Sequence, residues 1–132
     1  MDSNQNIELL EQLKDFEIVS GPGDDSIVVS QNADSTTIKS GQGDDNILIN
    51  DFIFNSQLYA GKGNDIIEFN QSIYTATISG DRGEDIIEAI GKVLDGSYIT
   101  GGYDDDLITL SEQIRYSTIT GSEGYDLSLI HI

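Results

Sequence analysis

One short glycine–aspartate phrase recurs six times along the chain at a nearly fixed spacing. Each copy carries an aspartate at its sixth position, and these aspartates lie 20, 20, 20, 21 and 20 residues apart. A fixed period of this length predicts a solenoid, in which each repeat is one coil that buries its apolar face only against neighbouring coils. The copies are SGPGDDSIV (20–28), SGQGDDNIL (40–48), AGKGNDIIE (60–68), GDRGEDIIE (80–88), GGYDDDLIT (101–109) and GSEGYDLSL (121–129).

Apolar residues follow the same period. They recur seven residues before each sixth-position aspartate and two, four and eight residues after it. The places at two and four residues alternate as in a strand with one buried face, and β-branched side chains dominate them. We therefore predict an all-β fold, a right-handed parallel β-roll or β-solenoid of about six 20-residue coils with one row of Gly–Asp turns. The extra residue between Asp85 and Asp106 predicts a bulge near residues 91–97.

The register divides the chain into three segments, of which 17–126 is the solenoid. Residues 1–16 form either an amphipathic helix that caps the first coil or a preceding half-coil. The half-coil is favoured because Ile7, Leu9 and Leu13 match the core places of the repeat without adjustment. Residues 127–132 (LSLIHI) put Ser128 where the other copies have an apolar residue, and they match the translation of a common sequencing adapter. We expect them to be a non-native tail.

The charge of the chain excludes several classes of partner. It has 24 acidic and 6 basic side chains, for a net charge of −18. Nucleic acids and anionic membrane surfaces both require a basic face, so neither is expected as a partner. No apolar run is long enough to span a membrane. The chain lacks cysteine, and its single histidine, His131, lies in the expected tail, so we predict that it is not an enzyme.

The chemistry of the Gly–Asp turns favours a hard cation. Glycine permits positive φ and close backbone approach, which exposes carbonyl oxygens, and the aspartate adds an anionic oxygen beside them. Stacked turns would bring carboxylates and carbonyls around one gap, a set of oxygen ligands that suits Ca²⁺. Without a cation, stacked carboxylates would repel one another by about 1–3 kcal/mol per pair. A solenoid in which these segments serve only as turns is the alternative.

These phrases resemble the RTX, or haemolysin-type, calcium-binding repeat, a nonapeptide of the form G-G-x-G-x-D-x-U-x in which U is apolar. The resemblance covers residues 20–126 and is strongest in the first four copies. The fifth and sixth copies depart from the pattern at Asp104 and Ser128, and the fourth at Asp81, so the match to the repeat is weakest near residues 101–126. One copy per 20 residues resembles the single-edged variant of some giant bacterial adhesins.

The resemblance implies a calcium-binding module of a larger secreted bacterial protein, located outside the cell or on its surface. Ca²⁺ would lie between consecutive turns and drive folding after export. Six turns leave at most five gaps, and five ions would bring the net charge from −18 to −8. Ice binding and an adhesin extender segment are the alternatives. The implied metal-site residues are Gly21, Gly23, Asp25, Gly41, Gly43, Asp45, Gly61, Gly63, Asp65, Gly83, Asp85, Asp104, Asp106 and Asp126.

Overall fold

The fold is an all-β solenoid, described by a computed structural model for residues 4–130. The strands are β1 (Asn6–Leu9), β2 (Leu13–Lys14), β3 (Glu17–Val19), β4 (Ser26–Val29), β5 (Ala33–Asp34), β6 (Thr37–Lys39), β7 (Asn46–Ile49), β8 (Ile53–Phe54), β9 (Gln57–Tyr59), β10 (Ile66–Phe69), β11 (Ile73–Tyr74), β12 (Thr77–Ser79), β13 (Ile86–Ala89), β14 (Val93–Leu94), β15 (Tyr98–Tyr103), β16 (Leu107–Leu110), β17 (Thr118–Glu123) and β18 (Leu127–Ile130). Within these residues, no helix long and apolar enough to cross a membrane is present.

Three parallel sheets form the faces of the solenoid. Sheet A holds seven strands in the order β1-β4-β7-β10-β13-β16-β18 and follows the Gly–Asp turns. Sheet B holds β2-β5-β8-β11-β14, and sheet C, which leads into the turns, holds β3-β6-β9-β12-β15-β17. Neighbouring strands in all three sheets are parallel, so each coil hydrogen-bonds to the same part of the next coil. The predicted β-solenoid of about six 20-residue coils is confirmed.

The apolar places found in the sequence form one continuous core. At the centre of the solenoid, Ile47, Ile67 and Ile87 stack at the same place in successive coils and are at most 1% exposed. Phe69 is the largest fully buried side chain. Burial decreases toward both ends, where Ile7, Leu9, Ile114 and Ile119 are only partly buried. Each coil therefore depends on its neighbours to complete its core, as solenoid coils generally do.

The extra residue of the fifth coil lies within the predicted segment 91–97. Val93 pairs with Ile73, a separation of 20 residues, whereas Tyr98 pairs with Thr77, a separation of 21. The insertion is thus confined to residues 95–97, where Gly96 has φ +82° and open space around it. The coil absorbs it at the edge opposite the Gly–Asp turns, so the register of the turns is kept.

The two ends of the described chain are also built from coil strands. Residues 6–14 form β1 and β2, and Ile7 and Leu9 pair with Ile27 and Val29, which is the half-coil arrangement rather than a helix. At the other end, β18 pairs with β16, and Ser128 lies opposite Ile108. The pairing of β18 says nothing about the origin of residues 127–132, and His131 lies outside the described residues.

Candidate metal centre

The Gly–Asp turns stack on one another through backbone hydrogen bonds. The second and fourth positions of each phrase have positive φ, for example +93° at Gly61 and +125° at Gly63. The amide of Lys62 donates to the carbonyl of Gly41 in the preceding coil, and the Lys62 carbonyl accepts from the amide of Gly43, each at 2.9 Å. The turns are therefore extensions of the sheets, and they hold the sixth positions in line.

Close stacking explains the glycine at the fourth position. A Cβ atom on Gly63 would overlap the carbonyl oxygen of Gly43, and the backbone there is left-handed as well. Three turn residues with a Cβ atom keep the same backbone: Asp81 has φ +72°, Asp104 +78°, and Ser122, at the second position of the sixth phrase, +69°. Left-handed backbone is costly for residues with a Cβ atom, although Asp tolerates it better than most. These three residues mark the turns that fit the repeat least well.

The sixth-position aspartates form a row on the inner side of the turns, which we call the carboxylate row: Asp25, Asp45, Asp65, Asp85, Asp106 and Asp126. The first five are at most 3% exposed, and Asp126 in the last coil is half-buried. One oxygen of each carboxylate, Oδ1, accepts a hydrogen bond from the backbone N–H of the preceding row member. These bonds measure 2.7 Å from Asp25 to Asp45, 2.8 Å from Asp45 to Asp65, and 2.9 Å for each later pair.

The other oxygen of these carboxylates has no hydrogen-bond partner. Oδ2 is buried and unpaired in Asp25, Asp45, Asp65, Asp85 and Asp106. A buried polar atom without a partner costs about 1–3 kcal/mol, and a charged one costs more. Five such atoms lie at the same place in successive coils, and each would be stabilised by binding a proton or by contact with a cation.

The pKa values of the carboxylate row are raised for the same reason. Burial raises the pKa of Asp65 to about 7 and that of Asp85 to about 8. It also raises the pKa of Asp45 and of Asp106 to about 6. The backbone hydrogen bond to each carboxylate works in the opposite direction, while neighbouring carboxylates add to the increase. Near neutral pH, the metal-free row therefore holds its charge only at a cost to the folded state.

The donor set fits a hard cation held by few side chains. Within residues 4–130, no group of three or more His, Cys, Asp or Glu side chains is close enough to hold a metal ion. A cation in one gap would therefore contact the Oδ2 atoms of neighbouring row members and take its remaining ligands from backbone carbonyls or water. Among the described residues, the Gly23, Gly43 and Gly63 carbonyls accept no hydrogen bond, and each lies against the fourth-position glycine of the next coil. An all-oxygen set of this kind suits Ca²⁺ better than Zn²⁺.

The remaining acids of the turns serve a different purpose. The fifth positions are exposed, and their side chains cap the next coil: Asp24 Oδ1 accepts the Asp44 N–H, and Asp44 Oδ1 accepts the Asn64 N–H, both at 2.8 Å. Asp104, one of the predicted metal-site residues, is also exposed, and its Oδ2 accepts the Gly83 N–H at 3.1 Å. Asp104 therefore lies outside the carboxylate row, because it occupies the fourth position of its phrase and not the sixth.

The structure also reveals a row position that the sequence analysis missed. Gln5 occupies the sixth position of an incomplete turn before the first phrase, since its neighbour Asn6 pairs with Ser26. The Gln5 backbone N–H donates to Asp25 Oδ1 at 2.8 Å, as row members do to one another. The sequence held two signals for it: its distance of 20 residues from Asp25, and the apolar places Ile7 and Leu9 two and four residues after it, although no glycine precedes it.

Comparison with known proteins supports the fold alone. No protein-family model and no curated protein sequence matches the chain. Among solved structures, it is similar to a hyperactive, Ca²⁺-dependent, β-helical antifreeze protein from an Antarctic bacterium, with a TM-score of 0.53 and 18% sequence identity. The similarity covers 95% of this chain and 58% of that protein, so the chain spans a little over half of its length. Fold and turns together define a parallel β-solenoid with a one-sided row of buried carboxylates.

Proposed function

We propose that the chain is a calcium-binding solenoid module of a secreted bacterial protein, of the kind that the RTX resemblance implies. Its role is non-enzymatic: neighbouring members of the carboxylate row share bound Ca²⁺, which supplies positive charge between the coils. The observation that carries this proposal is the set of five buried, unpartnered Oδ2 atoms at one place in successive coils. The similarity to a solenoid protein described as Ca²⁺-dependent agrees with it.

Protonation is the competing way to satisfy the row. A protonated Oδ2 is neutral, adds no positive charge between the coils, and would itself need a hydrogen-bond acceptor. A divalent cation needs only oxygen lone pairs, which the row and the turn carbonyls provide. We therefore favour a metal-bound row near neutral pH and a protonated row in acid.

The charge of the chain couples metal binding to folding. At a net charge of −18, self-repulsion disfavours the compact state, and five divalent ions would reduce the charge to −8. Extracellular calcium modules commonly bind with a Kd of about 10⁻⁴–10⁻³ M, far above calcium concentrations inside cells. Because the free energy of binding becomes free energy of folding, such a chain stays unfolded until it has been exported.

Circular dichroism with and without calcium tests this proposal. At about pH 8, which is at or above the raised pKa values of the row, the chain in EDTA should lack the spectrum of strands. Adding CaCl₂ to about 1–5 mM should restore it, whereas the same concentration of MgCl₂ should do so poorly, because Mg²⁺ prefers a rigid octahedral shell. A strand spectrum in EDTA that calcium leaves unchanged would contradict the proposal.

Ice binding is the second candidate, because a calcium-dependent antifreeze protein shares the fold. Flat, repetitive surfaces would support it, but the outward third positions of the turns are irregular and charged. They are Pro22, Gln42, Lys62, Arg82, Tyr103 and Glu123. We therefore place ice binding behind calcium-driven folding, along with an extender role in an adhesin. A thermal hysteresis measurement on the calcium-loaded chain separates these roles. Ice binding requires a freezing temperature clearly below the melting temperature, and the other two roles do not.

A further inference from the structure

The carboxylate row stops at a glutamine, and the hydrogen bonds around this residue differ from those in every other gap. Gln5 lies one coil before Asp25 and donates its backbone N–H to Asp25 Oδ1 at 2.8 Å. The corresponding bond from Asp25 to Asp45 measures 2.7 Å, so Gln5 is in register with the row. The backbone of the first gap is therefore built like that of the others, and only the side chain changes.

The Gln5 side chain brings a donor to an oxygen-lined gap. Its Nε2 donates to the carbonyl oxygen of Ser20, the first residue of the next turn, at 2.8 Å. In the following two gaps, the equivalent carbonyls accept hydrogen bonds from serine hydroxyl groups. Ser20 Oγ donates to Ser40 O at 2.9 Å, and Ser40 Oγ donates to Ala60 O at 2.8 Å. Only in the first gap does the sixth-position side chain itself make this bond. Gln5 therefore places a neutral amide where the other gaps have a second carboxylate.

The outer row of acids ends in the same way. Asn4 occupies the fifth position of the incomplete turn, and its Oδ1 accepts the Asp24 N–H at 2.9 Å. Asp24 and Asp44 make the equivalent bonds as carboxylates in the next coils. Both rows thus keep their hydrogen bonds at this end. In the outer row, however, the neutral Asn64 makes the same bond to the Glu84 N–H, so a neutral side chain is peculiar to this end only in the sixth-position row.

We propose that Gln5 terminates the cation row: its amide closes the first gap, which holds no calcium, and the ions begin at the gap between Asp25 and Asp45. This inference rests on the proposed function. It predicts that a carboxylate at position 5 creates one additional site, because Asp25 Oδ2 is already buried and unpartnered on the other side of that gap.

Counting bound calcium by native mass spectrometry tests the proposal on the full chain, with calcium alone as the probe. Gln5→Asp should bind one more ion than the wild-type chain. Gln31→Asp is the matched control, since it adds the same charge at an exposed position away from the Gly–Asp turns and should leave the count unchanged. Gln5→Glu, which preserves the shape of the side chain, should also gain one ion and covers the case in which Gln5→Asp folds poorly.

The outcomes separate this inference from the function on which it rests. Equal ion counts for the wild-type chain, Gln5→Asp and Gln5→Glu would overturn the role of Gln5 while leaving calcium binding intact. A wild-type count of six would also overturn it, because the first gap would then hold an ion despite the glutamine. A wild-type chain that binds no calcium would overturn both proposals.

Discussion

Replacing Asp65 by asparagine should change stability in opposite directions with and without calcium. Asp65 is fully buried, its Oδ2 has no partner, and burial raises its pKa to about 7. Asparagine can still accept the 2.8 Å hydrogen bond from the Asp45 N–H, but it carries no charge. Without metal at pH 8, the substitution removes a buried charge that has no compensation. With calcium, it removes a ligand that two gaps share.

The sizes of both effects follow from the structure. A pKa of about 7 in the folded chain, against 3.8 for an ordinary aspartate, corresponds to at most about 4 kcal/mol at pH 8, so Asp65→Asn should stabilise the metal-free fold by about 2–4 kcal/mol. At a calcium concentration about ten times Kd, each occupied gap contributes about 1.4 kcal/mol. Loss of two gaps should therefore reduce the stabilisation by calcium by about 3 kcal/mol.

A pH titration followed by circular dichroism measures the first effect. Because the pKa values of the row are raised in the folded state, the metal-free fold binds more protons than the unfolded chain. Its stability is therefore greatest below about pH 4 and falls as the pH rises through about 6 to 8. Asp65→Asn should shift the loss of strand signal to higher pH, and calcium should then rescue it less than it rescues the wild-type chain.

Asp44→Asn is the control for this experiment. It removes one charge from the neighbouring turn, but Asp44 is exposed, and asparagine can still accept the 2.8 Å bond from the Asn64 N–H. It should shift the pH midpoint and the response to calcium much less than Asp65→Asn does, because the charge of Asp44 raises the pKa of Asp65 less than burial does. The reasoning fails if Asp65→Asn lowers the pH at which the metal-free fold is lost, or if the two variants respond alike.

Three further predictions concern the row, the turns and the core. Asp45→Asn should lower calcium affinity in titration calorimetry more than Asp25→Asn, because Asp45 borders two carboxylate gaps and Asp25 borders one; equal losses would contradict a shared row. Gly63→Ala should destabilise the calcium-loaded fold by more than about 2 kcal/mol in urea, since its Cβ would overlap the Gly43 carbonyl, whereas Gly96→Ala, which meets open space, should cost only about 1 kcal/mol. Phe69→Ala should cost about 3–5 kcal/mol in the same assay, and a cost below about 1 kcal/mol would argue against the continuous core.

The coils could be predicted from the sequence because one nearly constant period determines which residues of neighbouring coils pair. Once the sixth-position aspartates were aligned, the places two and four residues after them predicted the buried face of sheet A, as the pairing of Ile47 with Ile67 shows. The same alignment located the extra residue of the fifth coil, because an insertion that left the Gly–Asp turns in register had to lie elsewhere in the coil.

The direction of the turn side chains could not be predicted in the same way. Strand alternation gives the facing of each residue, but the two left-handed positions of the turn break that alternation. Asp65 is in phase with the buried places Ile67 and Phe69, but charged side chains are rarely buried, so the sequence analysis did not predict its burial beside an exposed Asn64.

Asp104 was expected among the metal-site residues at the fourth position of the fifth phrase. Its side chain is exposed whereas that of Asp106 is buried, and its part in metal binding stays a prediction. Gln5 escaped notice because it lacks the glycines that identify the other turns.

A crystal structure of the chain grown in millimolar calcium tests the central claim most directly. We expect a line of calcium ions between consecutive turns from Asp25 onward, each within about 2.3–2.6 Å of Oδ2 atoms of the carboxylate row. The same crystal soaked in EDTA should lose this density. Gaps without an ion in the presence of calcium, with Oδ2 hydrogen-bonded to protein groups or water, would contradict the account.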